Sequence, residues 1–354
     1  MKLNEKQNKN VYKYLGAIHI HSVHSDGTGD IEEITKAAKE CGLGWIIVTD
    51  HNNFDIQEGI FNGITVIKGE EISWYDQNHY LCFGINNCIS PSENIAEKTE
   101  EVRKNGGFGF AAHPDESENR QNKHKPIRWT DKTIIPDGVE IWNWFSQWAD
   151  NYNSNNIFTI AYSYFFRHNL IKRPCEETLD WWDKLNSGSE EIVPAIGGSD
   201  AHALKITDYI IPVTVFPYQT IFKTITNQII LKEPLAEDFQ VRKQQILTAL
   251  KRGNNVIFNR NSYKTPPEIY VRNNKETIFC GNKIYIDDNT FLHFNCDKYS
   301  DIKIVKDGEI ICTQRAKNLK IKINESGKYR VESEINGYGY MYSNPIIVKK
   351  ENCY

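Results

Sequence analysis

Through residue 260 the chain alternates short apolar runs with stretches of helical spacing, and the apolar runs end in polar chemistry. Residues 11–15 are β-rich and lead into Ile18-His19-Ile20-His21. Asp30-Ile31-Glu32-Glu33 reads as an N-cap with a reciprocal glutamate three residues on, and Ile34, Ala37, Ala38 and Cys41 follow at helical spacing up to Gly42. Trp45-Ile46-Ile47-Val48 is apolar throughout, as in a strand buried on both faces, and it stops at Thr49-Asp50-His51-Asn52. The alternation then repeats. A strand over 64–68 ends in Gly69-Glu70-Glu71-Ile72-Ser73, and His79 opens another over 80–85. Ser90-Pro91-Ser92-Glu93 reads as a capping box, with proline at the first helical position, for a helix running to Gly106-Gly107. Strands over 108–112, 138–143 and 192–196 follow, the first ending in His113-Pro114 and the last in Gly197-Gly198-Ser199-Asp200-Ala201-His202.

Strands that repeatedly deliver polar groups at one end predict an α/β fold with a barrel of parallel strands, whose C-terminal rim gathers distant residues around one mouth. Between about 143 and 190 lies an aromatic-rich helical insertion containing Trp144, Trp148, Tyr162, Tyr164, Phe165, Phe166, Trp181 and Trp182. Such residues serve as core, and some can wall the mouth. Arg128, Arg167 and Arg173 flank it, with surface ion pairs as their expected use. A strand over 210–215 and a helix from about 236 to 253 complete the first domain, residues 1–262. From 263 the texture changes to short alternating strands at 290–294, 302–305, 310–312, 319–323, 329–333 and 346–349, punctuated by Asp307-Gly308, Ser326-Gly327 and Gly337-Tyr338-Gly339. This predicts a small C-terminal all-β sandwich over 263–354 without chemistry of its own.

Charge and composition narrow the partners. The 354 residues carry a formal net charge of -4, and basic residues are scattered, so no nucleic-acid partner is expected. Residues 1–10 lack the apolar core of a signal peptide and no stretch approaches a membrane span, which points to a cytoplasmic protein without membrane contact. Eight cysteines without Cys-x-x-Cys spacing are expected to be reduced and structural.

His19 and His21, at i and i+2 near a strand end, point to one face and make a metal grip; an exposed pair with no metal has the same spacing. Of the ten histidines, six (His19, His21, His51, His79, His113, His202) sit at strand ends or starts, which favours the grip. His24, His124, His168 and His293 fall outside the pattern. Histidine with carboxylate and no thiolate suits Mn, Fe, Zn or Mg. Nine candidates (His19, His21, Asp26, His51, Glu71, His79, His113, Asp200 and His202) exceed the needs of one ion, so two or three divalent metal ions are expected.

His-x-His-Ser-x-x-Ser-Asp-Gly, Thr-Asp-His-Asn, Gly-x-Glu-Ile-Ser, the Ala-His-Pro strand end and Gly-Gly-Ser-Asp-Ala-His together resemble the ordered motifs of the PHP (polymerase and histidinol phosphatase) family. Gly-Glu-Glu-Ile-Ser, Gly-Val-Glu-Ile-Trp-Asn and Ser-Asp-Ala-His are similar to its carbaryl-hydrolase-like branch. The resemblance covers about residues 14 to 260. It implies a distorted (β/α)7, TIM-like barrel. It further implies one metal at His19, His21, Glu71 and Asp200, a second sharing Glu71 with His79 and His113, and a third at Asp26, His51 and His202. Glu71 takes the motif position, leaving Glu70 as its outward-facing neighbour; Asp50 and Glu140 orient histidines or serve the barrel. The implied activity is hydrolysis of a small phosphorylated substrate, a phosphomonoester or phosphodiester, by a metal-bridging hydroxide, with His51, Asp200 and His202 assigned to catalysis. Two alternatives stay open: cleavage of a carbamate, ester or amide at the same centre, and a non-enzymatic metal-binding regulatory protein. A homo-oligomer is compatible with either.

Overall fold

The computed structural model describes residues 11–118, 125–152, 156–206 and 213–351. Its first elements are β1 (Tyr12–Ala17), α1 (Ile31–Glu40) and β2 (Trp45–Val48). Asp30 accepts from the Glu33 N–H at 2.9 Å and Glu33 accepts from the Asp30 N–H at 3.3 Å, so the expected capping box forms. Gly42, at φ +69°, lets the chain leave α1 without a Cβ clash. All four residues of β2 are buried. Ile46 and Val48 pack with the α1 residues Ile34 and Ala38, whereas Trp45 and Ile47 pack with Ile67, Leu81, Phe110 and Ile196. Two cores, one on each face, explain the unbroken apolar run.

The chain continues through β3 (Gly59–Phe61), β4 (Ile64–Trp74), β5 (Gln77–Phe83), α2 (Ile95–Lys104), β6 (Phe108–Ala111) and β7 (Gly138–Asn143). The α2 cap is Asn94, which accepts from the Glu97 N–H. The helix therefore begins later than the Ser90-Pro91 signal suggests, because Asn94 outcompetes Ser90 as an acceptor aligned with the apolar positions Ile95 and Val102. The expected helical insertion consists of α3 (Trp144–Asn151), α4 (Ile157–Phe165), a 3₁₀ turn (Arg167–Leu170) and α5 (Glu176–Ser187), ahead of β8 (Ala195–Gly198). Trp142, Trp144 and Trp182 are fully buried core, and Trp181 nearly so.

Strand pairing is mixed rather than all parallel. β1–β2, β2–β4, β6–β7 and β7–β8 are parallel, but β5 runs antiparallel to both β4 and β6. A tight turn at Tyr75 and Asp76 joins β4 to β5, and a parallel partner would need a far longer crossover. Past β8, Ser199 N–H donates to Ile18 O at 2.9 Å, Ala201 N–H to His19 O at 3.2 Å and His21 N–H to Ala201 O at 3.0 Å. The pairing thus returns to the segment after β1.

Next come β9 (Lys205–Ile206), β10 (Val213–Thr214), α6 (Tyr218–Ile221), β11 (Ile225–Leu231), α7 (Phe239–Lys251) and β12 (Asn255–Asn259). Residues 210–212, half of the strand expected over 210–215, lie outside the described residues, and β10 covers Val213–Thr214. β11, not anticipated, runs antiparallel between β1 and β12; Thr226, Asn227 and Gln228 break up its apolar pattern, yet all three are buried. The C-terminal region comprises β13 (Glu268–Arg272), β14 (Thr277–Ile278), β15 (Lys283–Tyr285), β16 (Phe291–Lys306), β17 (Glu309–Lys322), β18 (Gly327–Ile335), β19 (Tyr338–Ser343) and β20 (Ile346–Lys349). Where short strands were expected, β16 and β17 form one long antiparallel hairpin with a register shift between Asn295 and Ser300. Asp307-Gly308 and Asn336-Gly337 both have positive φ at each residue, the turn conformation that matches strand twist. The pairing is antiparallel apart from β15–β20, and β12–β19 joins this sheet to the first half.

Among the described residues no helix is long and apolar enough to cross a membrane. The seven described cysteines are free thiols. Residues 1–10, His124 and Cys353, on which sequence expectations fell, lie outside the described residues.

Candidate metal centre

The nine candidate ligands converge on one cluster, although the histidine pair is not carried on a strand. β1 ends at Ala17, and His19 lies beyond it at φ +65°. His113 and Asp200, also just past strand ends, have φ +25° and +49°. Such backbone costs about 1–3 kcal/mol per residue and persists where surrounding structure enforces it. At His19 and Asp200 the backbone bonds between residues 18–21 and 199–201 do so, and at His113 the N–H is held by Glu140.

Glu71 is the hub. Its Oε1 lies 2.8 Å from His79 Nδ1 and 3.2 Å from His113 Nε2; its Oε2 lies 3.1, 3.3 and 3.2 Å from His19 Nε2, His21 Nε2 and His51 Nδ1. Asp200 Oδ1 reaches His21 Nε2 at 3.3 Å and both His19 Nε2 and His202 Nδ1 at 3.5 Å. Asp26, half exposed, approaches His202 Nε2 at 3.2 Å, His21 Nδ1 at 3.5 Å and His51 Nε2 at 3.6 Å. Among the described residues four groups of donor atoms are close enough to share an ion: His21-Asp26-His51-His202, His19-His113-Asp200, His19-His21-Glu71 and His51-Glu71-His79. His21 therefore joins the Asp26 group as well as Glu71, and His79 meets His51 across Glu71.

Supporting bonds fix which nitrogen faces the cluster. His19 Nδ1 donates to Glu140 Oε1 at 2.8 Å, His79 Nε2 to the Tyr75 carbonyl at 2.9 Å and His202 Nδ1 to the Asp200 carbonyl at 3.0 Å. In a neutral ring the other nitrogen of each then presents a lone pair to a carboxylate oxygen. Two acceptors at 2.8–3.2 Å repel unless a proton or a cation lies between them. Both ring nitrogens of the fully buried His21, and Nδ1 of His113, have no hydrogen-bond partner among the described residues. Leaving such atoms bare costs about 1–3 kcal/mol each. The residues fit divalent cations: imidazole and carboxylate donors, no thiolate, orphaned nitrogens and tautomers preset by outer bonds.

The electrostatics follow from this crowding. Burial works against ionisation throughout. It is outweighed at His19 by Asp200, Glu140 and Glu71, which raise its pKa well above normal, and at His113 by Glu71 and Glu116, which raise it to about 9. At His21 burial wins with help from His202 and His51, and the pKa falls to about 4. Despite their own burial, Glu71 and Asp200 are held well below the carboxylate range by the surrounding histidines.

Asp50 acts one step back. Its oxygens accept from Ser22 N–H, Ser22 Oγ and Ser25 Oγ at 2.6–2.7 Å, which ties down the loop carrying Asp26. Glu140 also accepts from the His113 N–H at 2.7 Å and from Asn143 Nδ2 at 3.0 Å. Glu70 is not outward-facing. It is fully buried on the opposite side of β4, where it accepts from the Ile89 N–H and Cys88 Sγ, and burial raises its pKa to about 7. His24 is exposed and takes no part. Two contributors escaped the sequence reading. Asn143 stood inside the Gly-Val-Glu-Ile-Trp-Asn motif. Tyr218, whose hydroxyl donates to His21 O at 2.7 Å and accepts from the Gly29 N–H at 3.1 Å, had no nearby signal.

The family model for the PHP domain matches residues 17–129, which include seven of the nine candidates: His19, His21, Asp26, His51, Glu71, His79 and His113. The comparison with curated proteins gives no match. Among solved structures, a two-domain protein from Bacteroides vulgatus containing a predicted PHP-like metal-dependent phosphoesterase is 16% identical at TM-score 0.47, covering 98% of this chain and 99% of that one. A protein from Bifidobacterium adolescentis, assigned by inference as a metal-dependent phosphoesterase, is 16% identical at TM-score 0.33, covering 53% of this chain and 87% of that one.

Proposed function

We propose that this chain is a metal-dependent hydrolase that cleaves a small phosphomonoester or phosphodiester. The observation carrying the reading is Glu71, one buried carboxylate whose two oxygens face five imidazoles on two sides. The PHP-domain match over 17–129 supports the same reading. In this view residues 1–262 form a distorted (β/α)7 barrel and residues 263–354 a β-sandwich.

His19, His21, Asp26, His51, Glu71, His79, His113, Asp200 and His202 would hold two or three divalent ions. Such ions supply a hydroxide nucleophile at neutral pH and offset charge on phosphoryl oxygens. Glu71, with an oxygen toward each side of the cluster, would serve ions on both sides. Glu140 holds His19 in the tautomer that points Nε2 inward, and Asp50 holds the Ser22–Ser25 loop so that Asp26 stays over the mouth. His51 and His202 are the outer histidines, with side chains 28% and 11% exposed, so both border the mouth where a leaving group would sit. Phe145, 5.7 Å from the His202 ring, covers one flank and limits water there.

Mn-loaded protein tested on phosphomonoesters, phosphodiesters, aryl esters and carbamates checks the reading. Turnover of phosphoesters, lost on chelation and regained with Mn, is the expected result. Turnover confined to carbamates or aryl esters would move the reaction to carbonyl carbon, and no turnover with any metal would leave a binding protein.

A further inference from the structure

Asn156 to Phe166 contains no charged residue, and eight of its eleven positions are Ile, Phe, Tyr or Ala. This segment spans α4 and its caps. One side of the helix is anchored: Tyr164 stacks on Phe216 at 5.8 Å, and Trp148 Nε1 donates to the Ser163 carbonyl at 2.9 Å. The other side is uncovered among the described residues. Phe158 is 82% exposed, Phe165 69%, Phe166 55% and Tyr162 46%. Positions i, i+4, i+7 and i+8 share a helix face, and Tyr162 and Phe166 stack on it at 5.1 Å. At about 200 Å² per aromatic side chain these four leave about 500 Å² of largely apolar surface in one patch. That is near the upper end of what a monomer leaves uncovered.

We propose that this face of α4 is the interface of a homodimer, α4 packing against α4 of a second copy across a twofold axis. The charge-free segment lets two copies of α4 meet without like-charge repulsion between their own side chains. A helix adsorbed on a membrane would carry Lys or Arg along its polar side, and α4 has neither. Two such patches together bury about 1,000 Å², the lower bound of a specific interface. The twofold runs the helices antiparallel, setting Phe158 of one copy toward Phe165 of the other, a self-complementary contact. The dimer would also brace the mouth of the metal cluster, because Phe216 continues through Trp148 at 4.7 Å and Phe145 at 6.0 Å to His202 at 5.7 Å. This association does not depend on the proposed chemistry.

Sedimentation velocity of the full chain over a range of concentrations tests it, with the double variant Phe158→Asp/Phe165→Asp and, as a surface control, Tyr299→Asp on β16. The expected result is twice the chain mass for wild type and control, and a dimer dissociation constant raised about tenfold or more in the double variant. Circular dichroism of the variant should match wild type; should it not, Phe158→Ser/Phe165→Ser is used in its place. Wild type at the chain mass at every concentration overturns the proposal, as does a dimer that either double variant leaves intact. Co-sedimentation of monomeric wild type with phosphatidylcholine–phosphatidylglycerol vesicles, lost in the double variant, overturns it in favour of a membrane face.

Discussion

His19 and Glu140, which are 121 positions apart in sequence, meet in a buried 2.8 Å hydrogen bond from Nδ1 to Oε1, and the other Glu140 oxygen accepts the His113 N–H. One carboxylate on β7 thus sets two candidate ligands. Glu140→Gln keeps the shape but removes the charge that strengthens this bond. We expect metal affinity to fall about 10- to 100-fold with the fold retained. Calorimetric titration with Mn, alongside circular dichroism, reads this; unchanged affinity would make Glu140 purely structural.

Asn344 joins the two halves of the molecule. Fully buried, it accepts from the Ala195 N–H at 2.7 Å and donates to the carbonyls of Ala195 and Asn255 at 3.0 and 3.1 Å. Truncation leaves the first N–H of β8 without its acceptor and removes one donor each from the Ala195 and Asn255 carbonyls, which keep Asn255 Nδ2 and Cys280 Sγ. Asn344→Ala should cost about 2–3 kcal/mol of unfolding free energy, measured by urea titration. A loss below about 0.5 kcal/mol would mean the junction repacks.

His293 makes stability depend on pH. It stacks on Tyr270 at 4.7 Å, lies directly across the ladder from Lys320, and has its pKa lowered to about 4 by burial, with Lys320 and Arg272 adding to the effect. The unfolded chain protonates this ring near 6.5, whereas the folded one resists until about 4. Its contribution is therefore intact above pH 6.5 and is lost as pH falls from there toward 4. His168, lowered to about 4 by burial, Arg167 and Lys223, acts with the same sign. His293→Gln should narrow the gap between melting temperatures at pH 7 and pH 5. An unchanged gap would assign the whole acid limb to other groups.

Asp30, Glu33 and Gly42 bound α1 because capping is local chemistry. The gathering of His19, His51, Glu71, His113 and Asp200 was legible in the sequence because each follows an apolar run, and the runs of β1, β2, β4, β6 and β8 share one direction. The orientation of β5 was not: Tyr75-Asp76 lacks the usual Asn-Gly hairpin signal, and Tyr75 takes φ +50° without glycine. Strand alternation put Glu70 opposite Glu71 but could not say that a second buried layer, Cys88 and Ile89, lay on that side. Tyr218 reaches His21 across 197 positions, a contact no local pattern encodes.

The central claim is that the imidazole and carboxylate cluster around Glu71 holds metal and hydrolyses phosphoesters. Metal content by mass spectrometry, measured with phosphoester turnover on wild type, His21→Ala and Asp200→Ala in parallel, tests it most directly. The account predicts two or three bound divalent ions per wild-type chain, and in each variant a loss of at least one ion together with about a hundredfold or greater loss of turnover. Variants that keep both the full metal complement and wild-type turnover would contradict it.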